Sequence, residues 1–205
     1  MNHPTIRTMS GATAAQTIHA SRSALLVIDF QNEYFSGRMP LPDGERALRN
    51  AQRLIDHADQ AKMPVFHVQH VTPAGSPIFA EGGDGVRFHR DLQPATHHVV
   101  LKKSSVSVFP TTDLDRRLRA AGIETLIIAG LMTHACVAGA ARDAVPLGYS
   151  VIVVDDACAT RDLDGSDGAS SGVTHANLHR AALASIDDTF GDILTTEQVL
   201  RLSLI

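Results

Sequence analysis

The sequence predicts an α/β fold, a three-layer α/β/α sandwich on a mostly parallel sheet, and three observations carry that prediction. Residues 24–30 (ALLVIDF), 125–129 (TLIIA) and 149–155 (YSVIVVD) are apolar runs without alternation, the pattern of strands buried on both faces. Segments with apolar residues at helical spacing separate them, so the strands are joined by crossovers and run parallel. Finally, Asp29, the pair Lys102–Lys103 and Cys136 fall at the carboxyl ends of three different strands, the edge at which open α/β sheets bind ligands.

A chain of 205 residues is most simply one domain, here residues 1–205 with residues 1–23 as an N-terminal arm. The net charge of −4 gives no basic footprint for a nucleic acid or an anionic membrane. No apolar run approaches the roughly 18 residues of a membrane span. Residues 1–20 lack the apolar core of a signal peptide, so a cytoplasmic address is expected. Two cysteines, Cys136 and Cys158, make no disulfide framework, and no zinc-type Cys/His spacing is present.

Asp29 closes the first strand, either as a functional carboxylate or as a turn or cap residue; no glycine-rich phosphate cradle follows it. Asp43 caps a helix reaching Lys62, with Ala47, Leu48, Ala51, Leu54, Ile55 and Ala58 on one face. Residues 65–71 (VFHVQHV) form the next strand. His67 and His70 project from opposite faces of it and cannot ligate one metal together. Residues 72–98 make a long connection whose Ile78, Phe79, Val86 and Phe88 predict a packed lid over the Cys136 site; Arg87, His89 and Arg90 are solvated or meet an acidic substrate group.

Residues 99–101 are a short strand leading to Lys102 and Lys103, between which the pattern does not choose. Thr111 or Thr112 caps a helix over 113–121, ended by Gly122. After residues 125–129, Gly130 breaks the run, residues 131–134 turn, and a helical pattern begins near Ala135. Cys136 thus sits at a strand-to-helix junction. Free N–H groups and the helix dipole there favour a thiolate and can hold an oxyanion, although a lone cysteine is also ordinary packing. The following AGAARDAVPLG is slim enough to approach the sheet or a symmetry mate closely. Asp155–Asp156 end the next strand in a turn, and residues 161–172 form a flexible connection. A helix over 174–186 turns Leu178, Ala181, Ala182 and Ile186 inward. A last strand covers 190–194, and Thr196 with Glu197 caps a terminal helix.

A thiolate nucleophile needs a proton acceptor and a compensating charge, and Asp29 with a lysine supplies both. Three stretches, LLVIDFQNEYF (25–35), KKSSVSVF (102–109) and AGLMTHACVAGAARDAVPLGYSVIVVDDACAT (129–160), resemble the isochorismatase-like cysteine hydrolases, and the resemblance spans residues 24–200. It selects Lys103 over Lys102, because the family's lysine stands four residues before a serine and six before a phenylalanine, here Ser107 and Phe109. It implies a catalytic set of Asp29, Lys103 and Cys136, a non-proline cis peptide at Leu131–Met132, and an oxyanion hole from the backbone N–H groups of Met132 and Cys136. Candidate substrate contacts are Gln31, Phe35, His70, Phe79, Phe88, Phe109, Thr133 and His134.

The Asp-x-His metal pair of nicotinamidases is matched here by Val68-Gln69-His70, which lacks the carboxylate. No metal or other cofactor is therefore expected. The resemblance implies C–N hydrolysis of a small amide or ureido compound through a thioester. The alternatives are vinyl ether hydrolysis, which needs Asp29 but not Cys136, and a non-catalytic binding protein on the same fold. It also implies a homo-oligomer, a dimer or tetramer.

Overall fold

The computed structural model describes residues 3–165 and 172–205. The elements in chain order are α1 (Ile6–Met9), β1 (Thr17–Ile18), β2 (Ser23–Ile28), α2 (Gly44–Gln60), β3 (Val65–His70), β4 (Val99–Lys103), α3 (Leu114–Ala120), β5 (Thr125–Leu131), α4 (Ala138–Ala144), β6 (Ser150–Ala159), α5 (His175–Thr189), β7 (Asp192–Leu194), α6 (Thr196–Arg201) and β8 (Ser203–Leu204). Six strands form the main sheet in the order β4-β3-β2-β5-β6-β7. Every pairing in that sheet is parallel.

Two apolar clusters divide along the two faces. Leu26, Ile28, Leu126 and Ile128 pack with Leu114 and Leu118 of α3, the alanines of α4, and Leu183 and Ile186 of α5. Leu25, Val27, Ile127 and Ile152 pack with Ala47, Leu48, Ala51 and Leu54 of α2 and with Val199 of α6. The result is the three-layer sandwich that the doubly buried runs predict. The chain leaves β2 towards β3 and β4, then returns to place β5 on the other side of β2. The crevice beyond the carboxyl ends of β2 and β5 is therefore the switch point of the sheet.

The structure corrects several local expectations. The N-terminal segment is not an extended arm: β1 pairs with β8, Ile18 is fully buried, and Arg7 bonds Asp192 at 2.6 Å. Strand β4 runs on through Lys103. Strand β6 continues past Asp155–Asp156 to Ala159, because a register irregularity after Ile128 lets the small residues Cys158 and Ala159 re-pair with Gly130 and Leu131.

Asp43 and Asp113 occupy N-cap positions without a capping side-chain bond, while Thr112 Oγ1 accepts from Leu114 N–H. Helix α5 presents Leu183 and Ile186 to the core and leaves Ala181 exposed, and its His179 contacts Thr133 and Asp155. The terminal helix is capped by Thr195, in a capping box with Gln198, and Thr196 instead bonds Asp156. Within the expected connection over 161–172, residues 166–171 lie outside the described residues. Among the described residues, no helix is long and apolar enough to cross a membrane.

Candidate active site

Asp29 follows directly on β2. Its backbone takes φ 58°, the left-handed region, and Gln31 N–H returns to its carbonyl at 2.8 Å. Asp is one of the few residues with a side chain that enters this region readily, at a cost of about 1–2 kcal/mol. The tight turn directs the carboxylate into the crevice, where it is completely buried. From the end of β4, the fully buried Lys103 side chain brings Nζ to 2.8 Å from Asp29 Oδ2, 3.3 Å from Cys136 Sγ, 2.9 Å from His70 Nδ1 and 3.1 Å from the Ser105 carbonyl. Lys102, its neighbour in sequence, is exposed.

Gly130 is required one strand over. A Cβ there would stand 2.6 Å from Ile28 Cβ and 2.9 Å from the Ile28 carbonyl oxygen. The chain then passes through a cis Leu131–Met132 peptide into a π-helical turn, Thr133–Val137, which carries Cys136. Regular helix starts only at Ala138 and stops at Ala144, close to Pro146, which has no N–H to continue the ladder.

The electrostatics correct one expectation. Cys136 is not biased towards thiolate in the resting site: burial and the adjacent Asp29 charge push its pKa up to about 12, against the opposing pull of Lys103. Burial also raises the Asp29 pKa, with the Lys103 ammonium working against it. Among the described residues neither Asp29 oxygen has a partner in good hydrogen-bond geometry, although Lys103 Nζ lies 2.8 Å from Oδ2. The carboxylate is therefore held by charge and keeps lone pairs directed into the site. His70 is neutral beside the ammonium, its pKa lowered to about 4 by burial and by Lys103.

The candidate substrate contacts separate into two groups. Phe79, buried and itself at φ 53°, packs its ring 5.2 Å from both His70 and Tyr34, and His70 in turn contacts Lys103. His134 borders the site and bonds Thr160 Oγ1 through Nδ1 at 2.6 Å. Thr133 is wholly buried behind the turn, 2.8 Å from His179 Nδ1, whose Nε2 lies 2.8 Å from Asp155 Oδ1.

The others serve elsewhere. Gln31 spends its amide on the backbone of His70 and Val86, tying β3 to the 72–98 segment. Phe35 packs against His89 with the rings tilted by 45° and their centroids 4.4 Å apart. Phe88 lies edge-on to His67, on the sheet face opposite His70. Phe109 packs on Tyr149, just before β6 at the amino edge of the sheet. Arg87 is exposed and pairs with Asp84 at 3.6 Å. Of the two aromatic residues expected to line the lid, the site therefore receives Phe79. The 72–98 segment is stitched to residues 30–33 by backbone bonds from Asn32 to Arg87, Glu33 to Gly85 and His89 to Phe30.

Two further residues bear on this cluster and were not singled out in the sequence: Tyr34, within the 25–35 stretch, and Arg161, just after the 129–160 stretch. Tyr34 is buried, and its hydroxyl acidity is suppressed first by burial and then by the Cys136 and Asp29 charges. Arg161 sits close enough for its guanidinium to act on both Tyr34 and His134. Its buried Nε has no hydrogen-bond partner among the described residues.

A buried carboxylate, ammonium and thiol gathered at the switch point of a parallel sheet define an α/β cysteine-hydrolase type of site. The isochorismatase domain profile matches residues 23–198. The chain is 37% identical over 181 residues to the isochorismatase family protein YddQ of Bacillus subtilis (strain 168), covering 87% of this chain and 99% of that one. It is 30% identical over 199 residues to the maleamate amidohydrolase of Pseudomonas putida KT2440, covering 88% and 86%. The crystal structure of an isochorismatase from Pseudomonas putida KT2440 superposes with a TM-score of 0.88 at 31% identity, covering 96% and 98%. The chain belongs to the isochorismatase family and is a hydrolase of that superfamily.

Proposed function

We propose that the protein is an amidohydrolase that cleaves a small carboxamide or ureido compound through a Cys136 thioester. The observation that carries this reading is the contact of Lys103 Nζ with both Asp29 and Cys136 in a fully buried cluster. At rest Cys136 keeps its proton, and Asp29, a stronger base than an ordinary carboxylate, stands ready to take it. As Sγ attacks the carbonyl carbon, the thiol proton passes to Asp29, and the carbonyl electron pair becomes an oxyanion held by the Met132 and Cys136 backbone N–H groups. Collapse breaks the C–N bond, and Asp29 returns the proton to the departing ammonia or amine. Water then attacks the thioester, giving a proton to Asp29, and the acid leaves as the thiol is regenerated. Lys103 stays charged and supplies the electrostatic balance throughout.

Arg161 supports a substrate with a carboxylate at the end remote from the scissile bond, and the family relative that acts on maleamate fits that chemistry. Phe79 and Tyr34 provide the apolar wall, which limits the substrate to a small one.

The test is a screen of small amides and ureides, with and without a carboxylate arm, for ammonia release. Wild type should release ammonia and form a trappable acyl adduct on Cys136. Cys136→Ala should lose turnover while keeping its circular dichroism spectrum, and Arg161→Gln should raise KM for the carboxylate-bearing members. Turnover by Cys136→Ala of a substrate accepted by the wild type would overturn the thioester mechanism and favour ether hydrolysis. The slim α4 also supports association of copies as a dimer or tetramer. A monomer by light scattering at micromolar concentration would count against that.

A further inference from the structure

We propose that Asp59, His97 and His98 form a binding site for a divalent transition-metal ion of the zinc class, at the amino edge of the sheet and remote from Cys136. Asp59 lies in the last turn of α2, which ends shortly before β3 begins, and the two histidines immediately precede β4. Cys136 is at the opposite, carboxyl edge. Asp59 Oδ1 is 2.9 Å from His97 Nε2 and 2.9 Å from His98 Nε2, and the three donor atoms lie within 4.8 Å of one another. Two imidazoles and one carboxylate make a donor set suited to zinc and its neighbours rather than to magnesium or calcium.

The environment is that of a ligand site open on one side. The His98 side chain is 2% exposed and the His97 side chain 63%, so one ligand is fixed in the fold while the other admits the ion. Behind His98, the completely buried His67 brings Nε2 to 3.1 Å from His98 Nδ1. A metal-ligating imidazole donates its other N–H to a supporting acceptor, and His67 stands where that acceptor is needed. When His98 binds through Nε2, its proton moves to Nδ1 and is donated to His67 Nε2, while the His67 proton sits on Nδ1, a buried atom without a hydrogen-bond partner among the described residues. Binding replaces the two imidazole bonds to Asp59 Oδ1 and displaces the Ala95 N–H, 3.1 Å from His98 Nδ1. His97 moves its proton to a solvent-facing Nδ1. Three protein ligands leave a fourth position for water. The ion would fasten the end of the 72–98 segment to α2 and so act on stability.

The experiment uses the full chain without a histidine tag, stripped with EDTA and titrated with zinc chloride in a calorimeter. One ion per chain should bind, and a hundredfold excess over Kd should raise the thermal midpoint by roughly 5–10 °C. Asp59→Asn and His97→Ala, both at a half-exposed or exposed position, should each abolish stoichiometric binding and the thermal shift. Cobalt chloride in place of zinc should give visible d–d bands without a thiolate charge-transfer band, which assigns the site to nitrogen and oxygen donors. Absence of binding to the wild type, binding unchanged in both variants, or a strong sulfur band would each overturn the proposal.

Discussion

Asp29 combines three properties that act against one another, and its chemistry follows from the balance. It is fully buried, it lies beside an ammonium, and it shares the site with a thiol whose proton it accepts in the proposed mechanism. Its negative charge is one cause of the high Cys136 pKa, whereas Lys103 lowers that pKa. Replacing Asp29 with Asn should therefore have opposite effects on two measurements. Turnover should fall by about 100-fold or more, as for loss of a general base. Alkylation of Cys136 by iodoacetamide at pH 7 should become faster, because the thiolate then faces Lys103 alone. Mass spectrometry of the adduct reads this directly, and slower alkylation in Asp29→Asn would refute the assigned charge balance.

His70 supplies a second prediction at this scale. Its folded pKa is depressed from 6.5 to about 4, so the native state resists the proton that the unfolded chain accepts near pH 6.5. Its contribution to stability is thus complete above that pH and is lost as pH falls towards 4. The full shift corresponds to about 3 kcal/mol, and solvent screening of a half-buried ring reduces this to about 1–2 kcal/mol. Urea unfolding of wild type and His70→Asn between pH 7 and pH 4 should show a shallower loss for the variant, and equal slopes would remove His70 from the account. Residue types at strand ends made Asp29 and Cys136 legible in the sequence, and the Ser107 and Phe109 spacing distinguished Lys103. The protonation states were not legible, because they depend on neighbours brought in from β2, β4 and the turn after β5. Arg161 and Tyr34 were missed for the same reason.

At the level of elements, β5 and the turn after it set the precision of the site. Strand β5 was legible as an apolar run, since a strand buried on both faces leaves no alternation. The π-helical turn was not, because Thr133 to Ala138 carries ordinary helix formers and no breaker. What holds that turn is a chain from other elements, Thr133 to His179 of α5 to Asp155 of β6. No local pattern records such a chain; on α5 itself the expected Ile186 is buried, while Leu183 rather than Ala181 joins it.

Gly130 tests the fit between β5 and β2. An added methyl would meet the Ile28 Cβ and carbonyl oxygen, both fixed by the backbone, so the clash cannot be relieved by a rotamer change. Gly130→Ala should destabilise by about 2–3 kcal/mol through overpacking and should also reduce Cys136 turnover, because the same strand delivers the turn. A change below about 0.5 kcal/mol in urea unfolding would show that the two strands separate more easily than this packing implies.

On the scale of the whole molecule, the alternation of apolar runs and helical stretches fixed the sandwich, but strand order depended on pairings distant in sequence. The N-terminal segment shows the limit most directly. Its small polar residues read as an N-terminal arm, yet the chain folds it back against its own C-terminus. Arg7 bonds Asp192, Ala15 N–H bonds the same carboxylate, and β1 pairs with β8. Ile18, only 1% exposed, joins the cluster beneath α2 and α6. If this contact is part of the core, Ile18→Ala should cost about 2–4 kcal/mol, the range for deleting buried aliphatic groups. Met9→Ala provides the control: Met9 is 66% exposed in the same segment and should change stability by no more than about 0.5 kcal/mol. Both are read by urea unfolding at a protein concentration low enough to exclude self-association. Equal and small effects would mean that the segment is detachable, and that its place against the C-terminus contributes little to holding the two ends of the chain together.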